Sequence, residues 1–448
     1  MAEGFSLALD AAPLDADPVW TRIDNLDGVT IQSVDIERGR SDETEKTAIG
    51  TMTVRGTDRI GALDPTNTTG PYYGKLDPVK QVIFAAWNPV TDEWFTRFRG
   101  YWDELTYTIH PSGKFATFVL ECVDALDILD DAEIVPDQAG NTVPVESSGD
   151  VFYEGAQVDD RIRAAIADAA TALFGVQWPS GLLSIFSGNV AVQGTVYAGG
   201  TTQLTVIQEA ADAEFPCVAN FFADRIGRLS FRGRYSRFHP DVEAYGIGHW
   251  YIGDDAAATD DSTYARMAQP FSFARGKANL LNAVLSYPKG IAPADTGAQM
   301  ASDSTSISTY GVRSTSFPDL ITAAGDETSP LDAKDETKLY GTYMVDNYKT
   351  PHDRPGTITV QSLPPADALA AAIWALLKDI ELSDLATLKT IHPGGGGFDN
   401  VDFFVEKITE HHVPRRGEEG GDQITMQLEV SPRAYYDTNP FTGDPHHP

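Results

Sequence analysis

The chain holds 448 residues, 65 of them acidic against 33 basic, for a formal charge of −32 at neutral pH. At roughly 100–200 residues per domain the length suggests about two to four domains, and 42% hydrophobic residues is enough to fill several cores, which excludes wholesale disorder. So large an acidic excess repels phosphates and excludes an outer surface that grips nucleic acid or anionic lipid, although duplex DNA can slide past such a wall.

In chain order, the first third reads as β structure. Val29 and Ile31, Val34 and Ile36, Met52 and Val54, Val82 and Phe84, and Phe118 and Leu120 are apolar pairs at a spacing of two. The stretch from Asp64 to Pro71 has the Pro, Asn, Asp and Gly of a long turn. Many short strands without intervening helices predict an antiparallel barrel or sandwich over 1–134. Between Val135 and Gly149 the composition shifts to Pro, Gly, Ser and Asn, a linker or excursion loop.

A helix is predicted over 158–174, with Ile162, Ile166, Ala169 and Leu173 on one face and Asp159 and Asp160 in the first turn. A second is predicted over 204–213, capped by Thr201 or Thr202, followed by a hairpin over 221–232 that turns at Gly227. These elements make a small α/β unit over 135–247. The remainder, 248–448, returns to strands. Ile424, Met426, Leu428 and Val430 alternate strictly with polar residues, with Ile358 and Val360, and Phe403 and Val405, as similar runs. Helical interruptions are expected near 333–347 and 365–377, a loop tip at Gly394–Gly397, and a frayed tail after Pro440. The fold class expected is therefore mainly β with an α+β insertion.

Chemistry-bearing motifs are sparse. The sequence holds no GxxxxGK[ST], GxGxxG after a strand, HExxH or GxSxG, so nucleotide hydrolysis, zincin and α/β-hydrolase chemistry have no anchor. Cys122 and Cys217 lack metal or disulfide spacing. His411 and His412 are neighbours that point to opposite faces of a strand. Asp254 and Asp255 with Asp260 and Asp261 lack the alternation of a calcium loop. No catalytic, metal or cofactor residue is expected. The segment Met1–Trp20 is acidic and lacks the basic start of a secretion signal. The longest apolar run, Ala368–Leu377, is about half of what a bilayer-spanning helix needs, so no stable membrane insertion is expected and the run reads as a helix packed on a barrel or a neighbouring subunit.

One collinear set of residues is more specific. It comprises Arg38, Gly39, Arg40, Glu43, Gly50 and Asp58, then Asp64, Pro65, Asn67, Gly70, Tyr72, Tyr73 and Gly74, then Phe98 and Gly100. This block closely resembles the N-terminal region of minor tail proteins, the tail hubs or baseplate hubs, of long, non-contractile-tailed phages that infect actinobacteria. The hairpin with Gly227 and the segment with Asn282, Ser306, Tyr310, Gly311 and Arg313 resemble later parts of the same family. Arg55-Gly56-Thr57 departs from the Leu-Asp-Asn common in such proteins before the position of Asp58, and the C-terminal half matches loosely.

The resemblance implies two tail-tube-like antiparallel β-barrel domains flanking the α/β unit, and a structural, non-enzymatic role at the tail tip. It implies a homo-oligomer, a trimer first and a hexamer as the alternative, lining a channel through which viral DNA passes without specific binding. Distal tail protein, tape measure protein and tail fibre or tip proteins would be its neighbours, and the virion its location after assembly in the host cytoplasm. A hexameric distal tail ring, a tail-borne cell-wall hydrolase and a receptor-binding module are the competing readings. The motif itself reads as structural: Arg38 and Arg40 end a strand beside Gly39 and offer guanidinium forks to Glu43 or Asp58.

Overall fold

The computed structural model describes residues 3–134, 151–239, 246–277, 279–290, 298–323, 333–391, 397–414 and 421–436. The expected linker at 135–149, the tail beyond Pro440 and residues 394–396 of the glycine run lie outside the described residues.

The N-terminal strands are β1 (Phe5–Leu7), β2 (Thr21–Arg22), β3 (Val29–Gly39), β4 (Ala48–Asp58), β5 (Gln81–Asn88), β6 (Glu93–Ile109) and β7 (Ala116–Val123). In β4 the period of two is unbroken: Met52, Val54 and Gly56 are buried and Thr51 and Arg55 are exposed. In β3 a register shift between Ile31 and Ser33 lets Val34 and Ile36 face the same core as Val29 and Ile31. After a short helix, α1 (Ala125–Asp131), come α2 (Val158–Phe174) and α3 (Gln203–Glu214).

Helix α2 has Asp159 and Asp160 in its first turn and ends at Gly175, whose φ of 66° supplies the left-handed cap. Thr202 caps α3 by accepting the Thr205 N–H at 3.2 Å. The two helices share a core with Ile162, Ile166, Val206 and Ile207, where each buried large aliphatic contributes about 1.5–3 kcal/mol. Strands β8 (Asn220–Ala223) and β9 (Leu229–Arg232) form the hairpin, with Gly227 at φ 81° in its turn.

The later elements are β10 (His249–Gly253), β11 (Ala265–Arg266), β12 (Phe273–Arg275), α4 (Ala333–Tyr348), β13 (Asp353–Pro355), β14 (Ile358–Gln361), α5 (Ala370–Asp379), β15 (Leu385–Lys389), β16 (Val401–Val413) and β17 (Gln423–Pro432). A small sheet of residues 283–288, 300–302 and 314–320 lies between β12 and α4. The apolar run seen in the sequence is α5. Trp374 is fully buried in the main core and donates its Nε1–H to the Leu363 carbonyl at 2.8 Å, so the helix packs within the chain. No described helix is long and apolar enough to cross a membrane.

The expectation of closed barrels is corrected. Among the described residues no barrel closes through paired strands. The strands of both ends of the chain instead join one 13-stranded sheet, ordered β11-β10-β15-β16-β3-β4-β7-β6-β5-β1-β2, with β14 attached through β17 to β16. The reason lies in β16. At 13 residues it outruns β15, which pairs only with Val401–Phe404, and its second half, Lys407–His412, pairs with β3 instead. One strand thus belongs to two neighbours in succession, and the sheet runs on where a barrel would turn back. At the far side β11 and β14 meet only through a bridge between Met267 and Val360, with the Ala268 N–H donating to the Thr359 carbonyl at 2.7 Å.

Candidate functional site

The point where β16 changes partner gathers buried arginines and glutamates from both ends of the chain. A bulge falls between Val405 and Lys407 in the β16–β17 ladder, so Glu406 is the extra residue and its side chain turns inward. Across from it Gly39 adopts a φ of 107°, and a Cβ there would stand 2.2 Å from the Glu406 carbonyl oxygen, so only glycine fits. The next residue, Arg40, donates its backbone N–H to that carbonyl at 2.9 Å and its side-chain Nε–H to Glu406 Oε2 at 2.8 Å.

Glu406 is saturated. Arg237 donates to both its oxygens, at 2.6 and 3.0 Å, and the Ser431 hydroxyl reaches Oε1 at 2.5 Å. Arg237 in turn lies over the rings of Phe404 and Tyr436 at 4.9 and 5.2 Å. Burial alone would push the Glu406 carboxyl up; Arg237 and Arg40 override it and hold the group well below the ordinary carboxylate range.

Two further pairs flank this centre. Arg38 donates to Glu381 Oε1 at 2.6 Å, and the other oxygen of Glu381 accepts the Arg225 N–H of the β8–β9 turn at 2.7 Å. Arg97 on β6 makes a fork to Glu410 on β16, at 3.0 Å through Nε and 2.6 Å through Nη2, and donates to the Lys378 carbonyl at the end of α5. The buried His412 ring contacts the same carboxylate at 2.7 Å, while its neighbour His411 faces solvent beside Asp35. These pairs weld N-terminal strands, the hairpin and C-terminal strands together. A buried pair of this kind resists removal of one partner far more than it adds net stability.

The motif residues divide accordingly. Arg38 and Arg40 pair with Glu381 and Glu406, not with Glu43 or Asp58 as their closeness in sequence suggested. Glu43 is buried against Arg354 and accepts from the Tyr348 hydroxyl at 3.0 Å. Asp58 shapes the long loop, accepting the N–H groups of Ile60, Gly61 and Leu63, each at 2.9 Å, and the Tyr107 hydroxyl at 3.1 Å. Within that loop Asp64, followed by Pro65, accepts the Thr66 N–H, and the Asn67 side chain donates to the Gly61 carbonyl. Gly70 donates to the Asn67 carbonyl, Tyr72 packs on the main core, Tyr73 is half exposed, and Gly74 has a φ of 73°.

Phe98 is buried, Gly100 admits the Val123 carbonyl, and Gly50 admits Asp124, which accepts its N–H at 2.8 Å. Tyr310 and Gly311 lie in the later small-sheet region. Tyr310 is exposed, and the Gly311 carbonyl accepts the Asn282 amide at 2.9 Å. Arg97, Arg237, Glu381 and Glu406 carry the junction and were not singled out from the sequence; Glu410 drew notice there only as part of a Glu410-His411-His412 cluster read as solvated, whereas Glu410 and His412 are buried. The arginine–glutamate pairs of the junction span 169 to 366 positions, with no local pattern to betray them; the Arg237–Glu406 pair spans 169, the Arg97–Glu410 pair 313 and the Arg40–Glu406 pair 366.

Elsewhere, a cavity of about 440 Å³ is lined by Phe5, Phe84, Trp87 and Trp94. Arg22 already lies over Trp94 at 4.7 Å and pairs with Asp24 and Glu3, so the chain supplies its own cation to that aromatic pair. Asp254 caps the helix that follows it and Asp261 accepts from Thr263. Among the described residues no group of three or more His, Cys, Asp or Glu is placed to hold a metal ion.

No family model matches the sequence, and no curated protein matches it. Solved structures do match. A tail protein from Neisseria meningitidis MC58 superposes with a TM-score of 0.51 at 11% identity, over 97% of this chain and 99% of that one. An E. coli component of the type VI secretion system, described as structurally similar to bacteriophage T4 tail proteins, gives a TM-score of 0.43 at 8% identity over 92% and 77%. The first of these shows a shared fold along nearly the whole chain.

Proposed function

We propose that this chain is a structural subunit of a phage tail, the hub at the tail tip that joins a sixfold tail tube to the distal tip or fibre proteins. Three copies close around the axis and line the channel through which DNA leaves. The carrying observation is the single sheet in which strands from the two ends of the chain are fused through the β3–β16 ladder and the Glu406 centre. In this reading the two ends of that sheet act as two β-rich, tube-type units of one wall, and the shared fold with a tail protein supports it. In this reading the units complete their closure in the assembled ring, because ring formation covers sheet edges that a single chain leaves open.

The carboxylates of the junction are occupied by guanidinium groups and backbone donors, which suits a load-carrying wall; bond chemistry is no part of the proposed role. Distal tail protein, tape measure protein and fibre or tip proteins are the proposed neighbours. Imaging of assembled particles with this chain tagged tests the proposal: three copies around the axis at the tip are expected. Six copies would favour the distal tail ring instead, and a position off the axis would overturn the channel role. A zymogram on cell-wall material, expected blank, tests the hydrolase alternative.

A further inference from the structure

The two halves of the large sheet are built to one plan. In the N-terminal half β5, β6 and β7 form a meander to which β4 and then β3 are added; in the C-terminal half β15, β16 and β17 form the meander, β14 is added to β17, and the segment 265–275 lies against the segment 353–361. The correspondence extends to detail. The middle strand of each meander bulges at an acidic residue, Asp103 in β6 and Glu406 in β16. The residue before each bulge is held by the same two bonds: Val79 N–H to Trp102 O and Trp102 N–H to Lys80 O in one, Ser383 N–H to Val405 O and Val405 N–H to Asp384 O in the other. Val79 and Ser383 are both left-handed, at φ 65° and 67°. The residue two positions earlier is acidic in both, Asp77 and Glu381.

In the C-terminal half the overhang of β16 beyond its bulge is covered by β3, whose Arg38-Gly39-Arg40 delivers Arg38 to Glu381 and Arg40 to Glu406. The counterpart of β3 in the C-terminal half ends in the same pattern, Arg275-Gly276-Lys277. Among the described residues the N-terminal half has no such cover. The overhang of β6, Glu104–Ile109, pairs with β7 on one side and, among the described residues, makes no backbone hydrogen bond on the other. It carries no Pro, Gly or Lys to discourage pairing. Ile109 is 64% exposed, residues 272–277 are exposed throughout, and among the described residues Asp77, Asp103 and Lys277 make no ion pair.

We infer that the strand ending in Arg275-Gly276-Lys277 of one copy of this chain pairs antiparallel with the open edge Glu104–Ile109 of the next. Arg275 meets Asp77 and Lys277 meets Asp103, so the contact between copies repeats the junction within each copy. The contact joins two different surfaces, so it propagates head to tail and closes into a ring when the rotation permits. Two equivalent units per copy and three copies give six around the axis. This inference deepens the proposed hub and rests on it for the closure at three.

Carrying the Arg-Gly match across places Ala274 opposite Thr106. Full-length chains bearing both Thr106→Cys and Ala274→Cys are expected to form, on mild oxidation at high concentration, intermolecular disulfides that end in a covalent trimer, while either single variant does not. Failure of the double variant to give any intermolecular disulfide would overturn the pairing. Charge exchange gives a second reading on exposed residues whose replacement leaves the fold intact. Lys277→Glu is expected to weaken association roughly tenfold or more, and Asp103→Lys in the same chain to restore it; a Lys277→Glu chain that associates normally contradicts the contact. The outcome is separable from the tail assignment: disulfide trimers from a protein that imaging places off the tail axis would retire the hub and keep the pairing, and an axial trimer without these disulfides would do the reverse.

Discussion

Gly39 and Glu406, far apart in sequence, touch through their backbones so closely that a Cβ on Gly39 would lie 2.2 Å from the Glu406 carbonyl oxygen. The contact seats the Arg40 guanidinium on the Glu406 carboxylate. Gly39→Ala has to relieve both that overlap and a φ of 107°, a conformation that residues with a side chain rarely adopt. The expected loss is about 2–4 kcal/mol of unfolding free energy, measured by denaturant titration. A change below about 0.5 kcal/mol would show that the junction tolerates a gap.

Arg97 tests the fork rather than the charge. It holds both oxygens of Glu410 and the Lys378 carbonyl near the end of α5 through separate nitrogens. Lysine keeps the charge but cannot make that fork. Arg97→Lys and Arg97→Met are therefore both expected to destabilise, the latter by about 3–5 kcal/mol because it strands a buried carboxylate. Removing both charges, as Arg97→Met with Glu410→Gln, should recover part of the loss.

Stability should peak in mild acid. Burial pushes Glu406 and Glu410 up, but Arg237 and Arg40 in one case, and Arg97 in the other, hold them well below the ordinary glutamate value, which is about 4.3. Their contribution is complete above that unfolded value and is lost as the pH falls toward the folded ones. Asp124 and Asp384 act in the opposite sense. Burial raises them to about 7 and about 6, so the folded chain holds these protons more tightly than the unfolded chain. The stability they cost at neutral pH is recovered as the pH falls from about 7 toward 4. Denaturation midpoints taken across the range should show a maximum near about pH 4–5, and Asp124→Asn should flatten the neutral limb while leaving the acid limb in place.

A formal charge of −32 predicts that assembled protein does not retain duplex DNA. Gel-shift titrations at about 0.15 M salt, where surface charges are screened beyond about 8 Å, should show no stable complex. Retention that weakens steeply with added salt would mean that a basic surface is concentrated somewhere on the ring.

Many of the strands and helices were legible because their signals are local, although α1 lies in a stretch read as strands alone and Leu173, assigned to the inward face of α2, is 41% exposed. Ile424 to Val430 alternate, Asp159 and Asp160 sit in the first turn of α2, and Gly227 turns the hairpin. The loop around Asp58 and Asn67 likewise builds itself from bonds across a few residues. The pairing of Arg38 and Arg40 was misread toward Glu43 and Asp58 because nearness along the chain was the only guide. The duplicated plan of the sheet left almost no trace beyond two short Arg-Gly motifs.

By itself the amino-acid order determined many of the elements, most of their inward faces and the acidic balance of the chain, all of which follow from side-chain periodicity and composition. Only the folded chain decided that β16 would serve two neighbours, that Glu406 would bulge inward to meet Arg40 and Arg237, and that the end of β6 would pair, among the described residues, on one side alone. Those outcomes depend on which strands meet across hundreds of residues. With 65 acidic side chains available, no pattern in the sequence marks the few that a buried guanidinium will reach.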